Sequence, residues 1–123
     1  MISQPHSGLW RVPCVRSCYV EGKGGTQGAV LCNISVEGAY INLLPIPPVG
    51  ERVRLRFQLP GSEVPIFVEA EVCWENSAQR HQVHSLPPGC GVRFLALSRP
   101  DRERVERLVK AYVEPGPQRR RRL

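Results

Sequence analysis

The stretch VLCNISVEGAYI, Val30 to Ile41, sets Asn33, Ser35 and Gly38 close together between two apolar runs. An amide, a hydroxyl and a position without a side chain can do two kinds of work at that spacing. Short polar side chains bond nearby backbone and shape a turn. The same groups, with bare backbone beside them, can also offer donors and acceptors to a bound molecule. The spacing alone leaves both open.

Other groups able to do chemistry are sparse. The five cysteines include no Cys-x-x-Cys pair. Cys14 and Cys18 lie four apart in a strand-like segment, so both point to one face, and Cys32 and Cys73 sit in apolar runs. Reduced core thiols are the expectation. A zinc site built from Cys73, His81, His84 and Cys90 would match no established ligand spacing, and the histidines read as part of a solvated loop. No metal and no cofactor are expected. The glycine-rich Gly22 to Gly28 lacks the Lys-Ser or Lys-Thr pair of a phosphate-cradling loop. There are no paired carboxylates in a recognisable motif, no nucleophile elbow and no activating His–Cys arrangement. Asp101, the one aspartate, is assigned to a helix cap. The chain is therefore expected not to be an enzyme.

Length and composition place these groups on one β-rich domain. A chain of 123 residues supports a single core, and Gly 11 with Pro 12 implies many turns between short elements. No apolar run is long enough to cross a bilayer, and Met1 to His6 carries no basic leader, so the expectation is a cytoplasmic protein without membrane insertion. Of 17 Lys+Arg, four are Arg119 to Arg122; the other 13 face 11 Asp+Glu, which leaves the body at only +2. DNA or RNA binding is accordingly not expected. Residues 115–123 read as a disordered basic tail, and 1–114 as the single domain.

Six strands are expected. Val12 to Val20 alternates with period two, Gly22 to Gly28 reads as a loop, and Ala29 to Cys32 and Ala39 to Leu44 follow as strands around NISVEG. Arg52 to Phe57 alternates charge with apolar side chains so regularly that one face must be wet. Ile66 to Trp74 is its hairpin partner across Leu59-Pro60-Gly61-Ser62, and Gly89 to Leu95 is the last strand, after a loop from Asn76 to Pro88. One helix then runs from a Ser98 cap to Pro115. Val105, Leu108, Val109 and Tyr112 form its docking face, and Arg102, Arg104, Arg107 and Lys110 with Glu103 and Glu106 form its solvated face.

This pattern resembles the PilZ domain, a family of bacterial receptors for cyclic di-GMP. Three parts carry the resemblance: RVPCV before the first strand, NISVEG matching the family's (D/N)-x-S-x-x-G, and GCGVRFLALS before a terminal helix. It implies a six-stranded antiparallel β-barrel with one C-terminal helix. It also implies a cyclic di-GMP site at Arg11, Asn33, Ser35 and Gly38, with Trp10 and Arg16 as further candidates for stacking or charge. Residues 1–11 would be the flexible segment that grips the ligand, and a protein effector the partner, with the receptor a monomer or weak dimer. The family usually carries R-x-x-x-R at the start; here Arg11 fills its second position and Ser7 its first. A lost phosphate-binding guanidinium weakens affinity by roughly ten- to hundredfold. The alternative is a degenerate PilZ adaptor that binds no nucleotide.

Overall fold

A computed structural model describes residues 11–77 and 85–113. Six strands, β1 (Val12–Gly22), β2 (Gly25–Ile34), β3 (Gly38–Asn42), β4 (Arg52–Phe57), β5 (Ile66–Asn76) and β6 (Gly89–Phe94), precede one helix, α1 (Arg99–Val113). The strands close into an antiparallel barrel in the order β1-β2-β3-β6-β5-β4. The expected fold is the observed one.

Period-two sequence decides the faces. In β4, Val53, Leu55 and Phe57 enter the core while Arg52, Arg54 and Arg56 face water. Leu31, Ile34, Ala39, Ile41, Ile66, Val68, Ala70, Val72 and Val92 are among the residues that fill the rest of the interior. Ser98 accepts the Asp101 amide at 3.2 Å and so caps α1, whose Val105 and Val109 are fully buried against the barrel.

Several expectations are corrected. Residues read as a glycine loop instead extend two strands, since Gly22 pairs with Gly25 across the two-residue turn Lys23-Gly24. Backbone pairing needs no side chains, and Gly25, the first residue after the turn, takes a φ of +111° that glycine adopts without strain. Cys73 is exposed and not a core thiol, because Ile66, Val68, Ala70 and Val72 take the inward positions of β5 and Cys73 falls on the outward period. A bulge between Val72 and Trp74 then turns Trp74 outward as well. Cys32 is half-buried at a bulge in β2. Arg104 leaves the solvated face: its side chain, 17% exposed, donates to the Asp101 carboxylate (2.9 Å), the Ser62 hydroxyl (2.7 Å) and the Val64 carbonyl (2.6 Å), tying α1 to the turn between β4 and β5. Tyr112, expected on the docking face, is exposed. His81, His84 and the tail after Val113 lie outside the described residues, as do Ser7 and Trp10.

Candidate functional site

The NISVEG segment joins β2 to β3 as a tight turn over residues 35–37. Ser35 donates its amide to the Gly38 carbonyl at 2.8 Å, and its hydroxyl accepts the amides of Glu37 (3.0 Å) and Gly38 (3.3 Å). Ser35 is 1% exposed. Its polar group is therefore spent on the turn, and its effect on any ligand passes through the backbone it holds. Val36 drops into the core, and the Glu37 carbonyl accepts the Phe94 amide at 2.8 Å, which stitches the turn to β6.

Gly38 is needed for close approach. A Cβ there would lie 2.0 Å from the Val92 carbonyl oxygen, so β3 and β6 could not pair at their observed separation. The positive-φ glycines among the described residues are Gly25, Gly50 and Gly61. The close approach of β6, and not a positive φ, is therefore what requires glycine at position 38.

Asn33 faces outward. The register runs from Pro13 to Asn33, Tyr40, Gly91 and Trp74 across β1, β2, β3, β6 and β5, a row on the outer wall in which Pro13, Tyr40 and Gly91 stand between inward-facing neighbours. Arg11, just before β1, donates a guanidinium N–H to Asn33 Oδ1 at 3.2 Å. Among the described residues no ion pair includes Arg11. Arg11 is exposed at its surface, but the protein around it removes water and pushes its pKa down, with Cys73 acting in the opposite direction. Arg16 is not brought to this face: its Nε donates to the Gln58 carbonyl at 3.1 Å, on the β4 side of β1, away from β2.

Two aromatic residues that the sequence did not single out complete the row. Tyr40 is outward yet only 2% exposed, because Trp74 lies against it with centroids 5.4 Å apart. Its hydroxyl donates to the Pro87 carbonyl at 2.5 Å and accepts from Asn76 Nδ2 at 3.1 Å. Burial pushes the Tyr40 pKa up, against the Asn76 hydrogen bond, so it remains a donor at neutral pH. Trp74 rests on bare backbone, since a Cβ on Gly91 would come 2.1 Å from its Nε1. The signal in the sequence is a tryptophan late in one strand and a Gly-Cys-Gly in the next. It becomes readable only once register sets one opposite the other.

The wall thus offers a guanidinium without a carboxylate partner, an amide and a half-buried indole within a few strand spacings of about 4.8 Å. That chemistry suits a phosphate joined to a planar ring system. Among the described residues, no group of three or more His, Cys, Asp or Glu side chains could hold a metal ion.

The family model of the PilZ domain matches residues 10–111. A comparison with curated protein sequences gives no match. Among solved structures, the chain is similar to the Bacillus subtilis inhibitor of motility MotI/DgrA (TM-score 0.74, 17% identity), covering 94% of this chain and 54% of that one, so it spans about half of that protein. It is similar to the PilZ domain of YcgR from Escherichia coli with c-di-GMP (TM-score 0.65, 14% identity, 93% of this chain and 96% of that). The PilZ domain of CeSA from a cellulose-synthesizing bacterium gives a TM-score of 0.55 at 16% identity, over 85% of this chain and 98% of that.

Proposed function

The chain belongs to the PilZ domain family, and from that premise we propose that it is a cyclic di-GMP receptor that relays the level of this second messenger to a protein effector. The observation that carries the reading is the Arg11–Asn33 hydrogen bond on the outer wall. It joins Arg11 to the mouth of the NISVEG turn, and among the described residues no carboxylate competes with a phosphate for the guanidinium. Trp74, seated on Gly91, supplies a flat surface for a guanine. The YcgR domain of similar fold was solved with c-di-GMP, which supports the choice of nucleotide. Ordering of the leading segment by the ligand would then create the surface that an effector reads. The setting proposed is the bacterial cytoplasm, with the receptor a monomer or weak dimer, without DNA or RNA.

Ser7 in the first position of R-x-x-x-R favours a second reading, an adaptor that binds no nucleotide. Calorimetry separates the two, with cyclic di-GMP as ligand and cyclic di-AMP and GTP as controls. The receptor reading expects selective binding of cyclic di-GMP, abolished in Arg11→Ala and tightened roughly ten- to hundredfold in Ser7→Arg. Absence of binding at high micromolar concentration selects the adaptor.

A further inference from the structure

The outer face of β4, across the barrel from β3, carries a second set of charged and aromatic groups. β4 presents three outward arginines, and their cross-strand neighbours differ by row. Arg54 stands between Glu21 (3.7 Å) and Glu69 (3.3 Å) and pairs with both. One row along, Arg56 stands between Tyr19 and Phe67, aromatic residues where the neighbouring row has carboxylates. Its guanidinium carbon lies 4.5 Å from the Tyr19 ring centroid, which fixes the side chain by a cation–π contact. None of the ion pairs among the described residues includes Arg56. Tyr19 is 47% exposed and Phe67 57%. Between them is a cleft of about 340 Å³ that also takes in Thr26, Leu55 and the ion-paired Glu21 and Arg54.

We infer that this Tyr19–Arg56–Phe67 cleft is the docking surface for an acidic segment of a protein partner, one carboxylate flanked by apolar side chains. The inference rests on the proposed relay to a protein effector. Arg56 is exposed and held over the Tyr19 ring, so a carboxylate finds a pre-ordered guanidinium at reduced entropic cost. Tyrosine, arginine and phenylalanine side by side are residue types enriched at the centres of protein interfaces. The cleft and the nucleotide row share β1 and β5, but Tyr19 lies well along the chain from Arg11 and Phe67 from Trp74, at about 3.3 Å per residue of strand, so nucleotide and partner can be held together.

The test is selection of a displayed random dodecapeptide library on the full chain and on Arg56→Glu. The wild type is expected to enrich peptides with Asp or Glu beside aromatic or aliphatic residues, and Arg56→Glu to lose these and enrich Lys or Arg instead. A synthetic copy of the best peptide should shift the Tyr19, Arg56 and Phe67 amides in an NMR titration. It should bind Arg56→Ala roughly ten- to hundredfold more weakly. Arg56→Gln, which keeps length and removes charge, replaces Arg56→Glu if the latter does not fold, with loss of the acidic peptides as the expected result. Enrichment of the same peptides on both chains, no acidic preference, or no enrichment at all overturns the inference. So does concentration-dependent self-association abolished by Arg56→Glu, which would give the cleft to a second copy. Cyclic di-GMP calorimetry on the same samples reads the receptor function separately, and the Arg56 variants should leave it unchanged.

Discussion

Gly38→Ala measures how closely the NISVEG turn is built against β6. The added Cβ would stand 2.0 Å from the Val92 carbonyl oxygen, 3.1 Å from its carbon and 3.2 Å from Arg93 Cα. All three are backbone atoms, so no rotamer change relieves the contact. Restoring tolerable distances requires β3 and β6 to part by about 1 Å where Gly38 faces Arg93. That motion breaks the Phe94–Glu37 bond at 2.8 Å and loosens the Ser35–Gly38 bond, also 2.8 Å. Overpacking costs about 1–3 kcal/mol and each lost hydrogen bond about 1 kcal/mol, so the expected destabilisation is about 2–5 kcal/mol. Urea denaturation followed by circular dichroism reads it as a lowered midpoint at unchanged slope. Gly28→Ala is the control: it too lies in a strand, but its added Cβ meets nothing within 4 Å. Its stability should stay within about 0.5 kcal/mol of wild type. A Gly38→Ala protein no less stable than Gly28→Ala would refute the close-approach argument.

Three further outcomes are expected. Ser35→Ala removes a buried acceptor of two amides and should cost about 1–3 kcal/mol in the same denaturation assay, with no loss of nucleotide affinity beyond the unfolded fraction; a stable Ser35→Ala with weakened binding would give the hydroxyl a direct contact instead. Gly91→Ala should push Trp74 off Tyr40, shift tryptophan emission to the red and weaken cyclic di-GMP binding, while destabilising less than Gly38→Ala because a ring can swing away; an unchanged spectrum would reject the seating. At alkaline pH, burial holds the Cys18 thiol up at about 11 and Cys90 at about 12, against 9.0 ordinarily. The folded protein keeps these protons where the unfolded chain loses them. Their stabilisation is therefore complete below pH 9 and is lost between about pH 9 and 12, at roughly 1.4 kcal/mol per pH unit and thiol. Urea midpoints at pH 8, 10 and 11 should fall less steeply in Cys90→Ala, and equal slopes would remove the thiol from the account.

Local pattern carried much of the architecture. Arg52 to Phe57 reads as a strand because every second side chain must leave water, and the observed strand has those bounds. Ser98 with Val105 and Val109 reads as a capped, docked helix for equally local reasons. The family motifs led to Arg11 and Asn33, which the structure brings together although 22 positions separate them. Tertiary structure decided what depends on register. The outward placement of Trp74 follows from a bulge that no period in its own strand announces, and the need for glycine at position 38 comes from a carbonyl in β6. Trp74 joins Asn33 on one wall only because β3 and β6 lie between β2 and β5. Barrel closure sets Tyr19 beside Arg56, and Arg104 has its partners in a turn about 40 positions away. Sequence period reports which face of a strand is buried, since burial acts on each residue with its near neighbours. It does not report which strand lies alongside, because that choice is made by backbone hydrogen bonds and core packing between segments far apart in the chain.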